Sequence, residues 1–354
     1  MDKISRTKIL LQILCCLFIT IACSVENQRN GQIDRYFTQS DSLVYTIVPN
    51  DYIWGAPLAM DYLDSAIIVF DEKTYNGLYH RISCNTPDSV TDFGERGQGI
   101  NEFMMPLDFQ TTYNGEYTIF DYAQKKLFQI NPSKSLTSFQ TVLKDTTPNT
   151  VKLLASRYDT YISFGFYQDC MFMLKDKSGK QLKKIGDFPS RDNNEKKQIN
   201  QLKGMAYQGT WKINPTNDKF VYATNSADIL YFYRIDSTDI TSIKKYELNY
   251  PTYQVKEKGY ARSAPLSTEN KKTFLSVSVS DKFVYLLYSG KCFKDAGLKA
   301  LEGNIIYVFD WNGEPVKKYL LNIPITQLCL DYHSNELYGF ANLPNPTLVK
   351  FKLK

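Results

Sequence analysis

The chain shows a recurring pattern of short apolar segments that suit half-buried β-strands. Six strong segments stand out, each rich in β-branched and aromatic residues: AIIVF (66–70), EYTIF (116–120), TYISFGF (160–166), KFVYAT (219–224), KFVYLLY (282–288) and ELYGF (336–340). They recur every 44 to 63 residues, with further short apolar segments between them. This spacing is typical of the four-stranded blades of a β-propeller. The pattern therefore predicts six blades.

The outer part of the predicted blade repeats more closely. Two segments, 176–184 and 310–318, each combine an Asp, a Gly three residues later and a Lys pair at the end, and 236–245 is a similar unit with one extra residue. Asp and Gly suit tight turns. A pair of lysines on an outermost strand suits a solvated edge that discourages pairing with other chains. We therefore interpret these segments as the outer hairpins of blades.

The two ends of the chain complement each other. The segment TLVKFKLK (347–354) alternates apolar and basic residues as a half-buried strand does, and it completes only three strands of the sixth blade. An unassigned strand, SLVYTIVP (42–49), lies before the first blade. Pairing the two would remove the open edges of a chain of blades. The sequence thus predicts an all-β fold: a six-bladed β-propeller of four-stranded antiparallel blades, closed by pairing of its N- and C-terminal strands.

The first residues have the pattern of a targeting segment. A basic stretch (1–8) precedes a 14-residue apolar run (9–22), which is too short to cross a bilayer comfortably and is typical of a signal peptide. The run ends with the small residue Ala22 directly before Cys23, which resembles a bacterial lipobox. Cys23 is therefore the expected site of lipidation, and the alternative is an ordinary secretory signal with an incidental cysteine.

These features divide the chain into three parts. We expect a lipoprotein signal peptide at 1–22, a lipidated Cys with a flexible tether at 23–41 and the propeller at 42–354. The expected location is the bacterial cell envelope, where the lipid would anchor the protein to the outer membrane, on its periplasmic side or at the cell surface.

Composition narrows the functional classes. The 354-residue chain has a formal net charge of +5 with both signs interspersed, and no basic stripe suggests nucleic-acid binding. Without the signal, four widely spaced cysteines remain: Cys84, Cys170, Cys292 and Cys329. Their spacing matches neither a metal site nor a disulfide framework, so we expect them to pack as small apolar residues. The sequence predicts no cofactor and no metal.

A glycine-rich stretch, FGERGQGINEFMMP (93–106), raises the alternative of a phosphate-binding loop. A Walker loop needs Lys-Ser/Thr after its last glycine and then a helix, whereas the strand-like segment MMPLDF follows here. We therefore expect the glycines to turn the chain between two blades, and Pro106 to open the next inner strand.

The same stretch carries a resemblance to a known family. Its spacing of Phe93, three glycines, a Glu-Phe pair and Pro106 resembles the blade-joining signature of NHL-type propellers. Together with the lipobox and six blades, the mature chain resembles the TolB-like six-bladed β-propeller lipoproteins of gut-type Bacteroidetes. The resemblance implies a fold and a location, and it implies no catalytic residues.

Candidate catalytic groups are few. The two histidines, His80 and His333, are too few for the His ligands of zinc-dependent propeller lyases, and both are expected in surface or turn positions. Asp61, Asp108 and Asp331 each stand between apolar residues late in a predicted inner strand. Three acids around a channel could bind calcium or serve a glycosidase. Alternatively, each Asp bonds the backbone of the turn that follows it.

The long loops of the predicted propeller gather on one side. Three links between blades (93–103, 190–207 and 252–272) and the loop 290–303 between second and third strands all emerge there. Long loops on a rigid scaffold commonly carry binding sites, and aromatic and Arg residues are typical anchors. This side is therefore the expected binding face, with the candidate residues Trp54, Arg96, Arg191, Tyr260 and Arg262.

Two classes of function follow from these observations. The sequence favours a membrane-anchored, non-catalytic binding or scaffold module for a protein, peptide or glycan partner. The alternative is a propeller hydrolase or lyase that uses channel carboxylates, with or without Ca²⁺. Besides the unknown ligand, the expected partner is the membrane that holds the lipid, and nucleic acid is not expected.

Overall fold

A computed structural model describes residues 32–74, 77–99, 101–112, 114–131, 134–258 and 261–353. The signal sequence and Cys23 lie outside the described residues. Tyr260 lies outside them as well.

The strands form six blades, preceded by two short strands. After a 3-10 helix (Gln32–Tyr36) come β1 (Ser40–Leu43) and β2 (Tyr45–Ile47). Blade 1 contains β3 (Pro57–Leu63), β4 (Ala66–Asp71), β5 (Tyr79–Ser83) and β6 (Val90–Phe93). The link to the next blade contains β7 (Glu95–Arg96) and β8 (Glu102–Phe103). Blade 2 contains β9 (Pro106–Thr111), β10 (Tyr117–Asp121), β11 (Lys126–Ile130) and β12 (Gln140–Lys144). Blade 3 contains β13 (Thr150–Ala155), β14 (Tyr161–Gly165), β15 (Phe172–Lys175) and β16 (Gln181–Ile185).

The second half of the chain continues the pattern after two short helices, α1 (Asn193–Lys196) and α2 (Asn200–Ala206). Blade 4 contains β17 (Gly209–Ile213), β18 (Lys219–Thr224), β19 (Ile229–Ile235) and β20 (Ile240–Glu247). The following link contains β21 (Lys256–Lys258) and β22 (Ala261–Ser263). Blade 5 contains β23 (Phe274–Val279), β24 (Phe283–Tyr288), β25 (Gly303–Asp310) and β26 (Pro315–Ile325), with α3 (Phe293–Ala296) and a 3-10 helix (Gly297–Leu301) between β24 and β25. Blade 6 contains β27 (Leu328–Asp331), β28 (Glu336–Asn342) and β29 (Pro346–Lys352).

The predicted propeller and its closure are confirmed. The strand β2 pairs antiparallel with the C-terminal β29, and the register places Tyr45 opposite Phe351 and Ile47 opposite Val349. Blade 6 therefore takes its fourth strand from the N-terminal side of the chain. This pairing leaves neither β2 nor β29 as an open edge.

The chain joins the propeller earlier than the sequence suggests. Residues 32–41, assigned above to the tether, instead pack against blades 4 and 5. Ile33 is fully buried, and the Phe37 side chain stacks on Tyr307 with centroids 4.8 Å apart. The strand β1 also adds to blade 5 as a parallel fifth strand beside β26. We call residues 32–43 the N-terminal strap.

Blade 5 therefore lacks the solvated edge predicted for its Lys pair. Because β1 covers β26, Lys317 pairs with Asp41 at 2.9 Å and Lys318 pairs with Asp34 at 2.7 Å. Both acids belong to the N-terminal strap, so the lysines fasten that segment to the propeller. The predicted turn chemistry is confirmed nearby, since the Asp310 carboxylate accepts hydrogen bonds from the backbone N–H groups of Asn312 and Glu314.

The order of strands defines two faces of the propeller. Links between blades and loops between second and third strands lie on one side, which we call the mouth face; its described residues include 94–99, 101–105, 186–208, 248–258, 261–273 and 289–302. Turns between first and second strands lie on the opposite side, the turn face; it includes 64–65, 156–160, 214–218 and 332–335. The glycine-rich stretch turns on the mouth face between blades 1 and 2 as expected, with Gly94 at a φ of 74°.

Candidate functional site

A cavity of about 530 Å³ opens at the mouth face, at the centre of the ring of blades. Its wall is built where the inner strands begin and where the mouth-face loops reach inward. The lining residues that matter below are Leu58, Lys152, Thr210, Lys212, Asn225, Leu275, Leu301, Gln327 and Asn342. A volume of this size suits a small ligand or a protruding segment of a larger one.

An ion pair forms the floor of this cavity. Lys212 of blade 4 donates from Nζ to Asp61 Oδ2 of blade 1 at 2.7 Å, so opposite sides of the ring meet at the channel centre. The Thr111 hydroxyl donates to the same carboxylate oxygen at 2.8 Å, and the Tyr62 N–H donates to Asp61 Oδ1 at 3.1 Å. Both charged side chains are about nine-tenths buried. The carboxylate is therefore well satisfied and fixed in place.

A second, smaller space lies beyond the floor. It has a volume of about 170 Å³, opens toward the turn face and is lined by Tyr62, Asn214 and Tyr332 together with the ion pair itself. Lys212 lines both spaces. The pair thus divides the central channel into a larger cavity at the mouth face and a smaller one at the turn face.

The wall of the larger cavity mixes apolar and hydrogen-bonding groups. Leu58, Leu275 and Leu301 provide apolar surface, while Thr210, Gln327 and Asn342 bring hydroxyl and amide groups. The Asn225 Oδ1 atom is buried and accepts no hydrogen bond from any described residue. A buried acceptor of this kind gains when a donor fills it. The cavity can therefore hold a polar ligand with some apolar surface.

The three predicted channel acids have different roles. Asp61 binds Lys212 across the channel, which contradicts the interpretation that it only caps the following turn. Asp331 does cap its turn, because its carboxylate accepts from the N–H groups of His333 and Ser334 and from the Ser334 hydroxyl. Burial opposes ionisation of Asp331, but the hydrogen bonds from Ser334 outweigh it and hold the pKa of this carboxyl below its usual value. Asp108 lies in β9, and its side chain is outside what the structure describes.

Among the described residues, no group of three or more His, Cys, Asp or Glu side chains is placed to hold a metal ion. The four described cysteines are free thiols; Cys170 and Cys329 are buried, as expected of small apolar residues.

His80 is not the surface residue that the sequence suggested. It is fully buried, with Nδ1 2.7 Å from Asp92 Oδ1 and Nε2 3.1 Å from the Thr74 hydroxyl. This order of Thr, His and Asp resembles a catalytic triad, but the Thr74 hydroxyl also lies within hydrogen-bond distance of the Gly77 carbonyl. The imidazole is enclosed, and the cluster ties the loop after β4 to β5 and β6 within blade 1. His333 does lie in an exposed turn, as expected.

The predicted binding residues divide into buried and exposed groups. Trp54 is only 7% exposed, because it packs against Phe340 and His80, and it is unavailable as a surface anchor. Arg96, Arg191 and Arg262 are exposed on the mouth face, and none of them lines the cavity. The side chains of Arg191 and Arg262 pair with nearby acids, Asp192 and Glu257 respectively.

Sequence reasoning missed the exposed apolar residues of the mouth face. The described chain has thirteen exposed large hydrophobic side chains, and seven of them lie on the mouth face: Ile53, Leu58, Met104, Met105, Val255, Leu298 and Leu301. We call these seven residues the apolar rim. They occur singly or in pairs within polar loops, so no periodic pattern marks them. An apolar residue within a predicted link between blades is the sequence signal that could have identified them.

Two aspartates that hold mouth-face links were also missed. Asp71 ends β4 and accepts from the N–H groups of Gly55 and Ala56 at 2.8 and 2.7 Å. Asp121 ends β10 and accepts from the N–H groups of Met104 and Met105 in the same way. Each carboxylate thus holds the link that enters its own blade. The sequence signal was the repeated Asp directly after IIVF and TIF.

Within the described residues, no helix is long and apolar enough to cross a membrane. Comparison with solved structures shows the fold. The chain is similar to a putative exported protein from Bacteroides fragilis NCTC 9343 (TM-score 0.51, 12% identity, covering 91% of this chain and 96% of that one). It is also similar to a member of the DUF4221 family from Bacteroides vulgatus ATCC 8482 (TM-score 0.53, 9% identity, covering 90% and 98%).

No curated protein matches the sequence. The family model described as TolB-like 6-blade propeller-like matches residues 38–333, which is most of the chain and includes part of every blade. This match agrees with the six blades and with the resemblance noted in the sequence. The chain therefore belongs to the TolB-like six-blade propeller family.

Proposed function

We propose that this protein is a lipid-anchored binding protein of the cell envelope, whose central cavity takes part of a protein, peptide or glycan partner. The observation that carries the proposal is the cavity of about 530 Å³ at the mouth face, closed beneath by the buried Asp61–Lys212 pair. The cavity lies among the long mouth-face loops, and two residues of the apolar rim, Leu58 and Leu301, line it. Loops on a rigid scaffold commonly carry binding sites.

The chemistry of the pocket favours binding over catalysis. The Asp61 carboxylate is held by Lys212, Thr111 and a backbone N–H, so it is not poised as a general base or a nucleophile. Asp331 is likewise engaged in its own turn. The wall also contains hydroxyl and amide groups, which suit recognition by hydrogen bonds.

A matched pair of variants tests the binding proposal. Leu58→Trp adds bulk at the cavity wall, and Tyr332→Trp alters the smaller space at the turn face; the two side chains are 46% and 42% exposed. Native mass spectrometry of the protein purified from its own membranes should show a bound species. We expect the species to be retained by Tyr332→Trp and lost from Leu58→Trp. Retention by both variants, or loss from Tyr332→Trp alone, would place binding elsewhere.

Anchoring is the second part of the proposal. The Ala22-Cys23 junction after a 14-residue apolar run supports lipid attachment at Cys23, with the propeller held at the outer membrane on its periplasmic side or at the surface. Cys23→Ala should abolish incorporation of labelled fatty acid and move the protein out of the membrane fraction. If the wild-type protein carries no label, anchoring through Cys23 is wrong.

A further inference from the structure

The N-terminal strap begins at the mouth face. The Gln32 N–H donates to Asp228 Oδ2 at 3.0 Å, and Asp228 belongs to the loop between the second and third strands of blade 4. The Tyr288 hydroxyl and the Asn249 amide donate to the same carboxyl group at 2.9 and 2.8 Å. The first described residue is therefore held firmly at the mouth-face end of the groove between blades 4 and 5.

The distance from this point to Cys23 is limited by covalent geometry. Nine peptide steps separate Cys23 from Gln32, and they cannot span more than about 32 Å. The longest inner strand has seven residues, so the ring is about 20 Å deep at about 3.3 Å per residue. If the turn face were the side toward the lipid, the segment between Cys23 and Gln32 would have to extend along the depth of the ring. That would use most of its maximum length. The geometry thus favours the mouth face as the side nearest to an anchor at Cys23.

The apolar rim lies on this same face. Ile53 and Leu298 are 88% and 80% exposed, the two largest exposed fractions among the large hydrophobic residues of the described chain. Leu58 and Leu301 belong to the rim and also line the cavity. The presence of seven exposed large apolar side chains on one face favours an interaction surface there. Two independent features, the start of the strap and the apolar rim, therefore select the same side.

Some charges of the mouth face are paired locally, as Lys294 is with Glu269 and Arg262 is with Glu257. Contact of this side with a neutral lipid surface would depend on apolar side chains and would be insensitive to salt.

We propose that the mouth face rests on the phospholipid surface that carries the anchor, with Ile53 and Leu298 inserted among the headgroups. This orientation rests on the proposed lipidation of Cys23. The cavity then opens toward the membrane, and its ligand is a group presented by a membrane component rather than by a partner free in solution. The turn face points away from the lipid.

A fluorescent probe at two positions tests this orientation. Leu298→Cys places the probe on the rim, and Lys177→Cys places it in an exposed turn-face hairpin. Both are made in the full chain with Cys84→Ser and Cys292→Ser, since those native thiols are only partly buried. The acylated protein is reconstituted in phosphatidylcholine vesicles that contain a headgroup nitroxide quencher. We expect quenching at position 298 to exceed that at 177 at least about threefold, and to persist in high salt.

Each result has a defined meaning. Equal quenching at the two positions, or stronger quenching at 177, overturns the orientation. Absence of quenching at both positions also overturns the orientation, and it would mean that the apolar rim contacts a protein partner instead of lipid. The intact mass of the same sample reports acylation of Cys23 separately, so a failure of the anchor is distinguishable from a failure of the orientation. As a further control, Ile53→Asp with Leu298→Asp should reduce quenching of a probe at Met105→Cys, because the inserted apolar groups are removed.

Discussion

The two ends of the central channel are built from the same six inner strands, yet they differ in size and composition. At the mouth face, long links and loops surround a cavity of about 530 Å³ and expose seven large apolar side chains. At the turn face, short turns surround a space of about 170 Å³. The inner strands are common to both ends, so the difference comes from the connections.

The connections on the two faces differ in length and in the residues that stabilise them. Turn-face connections are short and use Asp or Asn at positive φ, with Asp64 at 49°, Asp159 at 53°, Asn217 at 52° and Asn335 at 52°. These residue types tolerate that region of backbone space better than most. Several mouth-face links are longer and are held in addition by residues outside the link, such as Asp71 and Asp121. The greater length of these links gives the mouth face more room to carry a site.

The largest expected effect lies at the boundary between the two ends. Lys212→Met leaves the Asp61 carboxylate buried without its cation, and we expect it to lower the free energy of unfolding by about 3–5 kcal/mol. The double variant Asp61→Asn with Lys212→Met removes both charges and should recover much of that loss. Urea denaturation followed by tryptophan fluorescence measures both. Equal stability of the single and double variants would show that the loss does not come from leaving the Asp61 carboxylate without its cation.

The N-terminal strap should contribute the next largest effect at the mouth end. Ile33→Ala removes a fully buried side chain between blades 4 and 5, and such a truncation costs about 2–5 kcal/mol. Val44→Ala is the matched control, because Val44 is 70% exposed, and it should change stability by less than about 0.5 kcal/mol. Similar melting temperatures for the two variants would mean that residues 32–41 act as a tether and do not stabilise the propeller.

The stability that the turn-face residue Asp331 contributes should depend on pH, whereas a neutral replacement at this position should not. The pKa of Asp331 is lowered in the fold, so its stabilising contribution is complete above the ordinary Asp pKa of about 3.9 and is lost as pH falls below it. Asp331→Asn should therefore cost about 1 kcal/mol near neutral pH. The difference from wild type should shrink as the pH is lowered to about 3. A difference that stays constant with pH would mean that the ionised carboxylate is not what stabilises this turn.

The smallest expected change in stability belongs to the apolar rim. Leu298→Ser alters a side chain that is 80% exposed, so the unfolding free energy should change by less than about 0.5 kcal/mol. The same variant should weaken the contact of the mouth face with lipid. A large loss of stability would instead show that Leu298 packs within the fold.

Much of the fold was predictable because it depends on local patterns. The six strong strands, the Asp-capped outer hairpins and the closing strand are each visible in a few consecutive residues. The strap was missed because its partners are distant in the chain: Gln32 binds Asp228 and Asp34 binds Lys318, 196 and 284 residues away. Its two anchoring residues, Ile33 and Phe37, stand in a polar segment with no strand period.

The site was less predictable for a related reason. Blades pack face to face, so even a middle strand such as β4 is buried at every position. A polar residue within a strand is therefore no sign of a solvated side, which explains why His80 was misplaced. The Asp61–Lys212 pair joins residues 151 positions apart on opposite blades. The order of strands is enough to identify which face carries the long loops. The residues that line the cavity on that face can be identified only from the three-dimensional structure.

The most direct test of the mouth face as the working surface compares two side chains of equal exposure. Leu301 lines the mouth-face cavity and is 41% exposed, and Tyr332 lines the turn-face space and is 42% exposed. A photoreactive amino acid is placed at either position in the full chain, and living cells are irradiated before the protein is analysed by mass. The account predicts discrete cross-linked products from position 301 and none above background from position 332. Products from position 332 alone would contradict it.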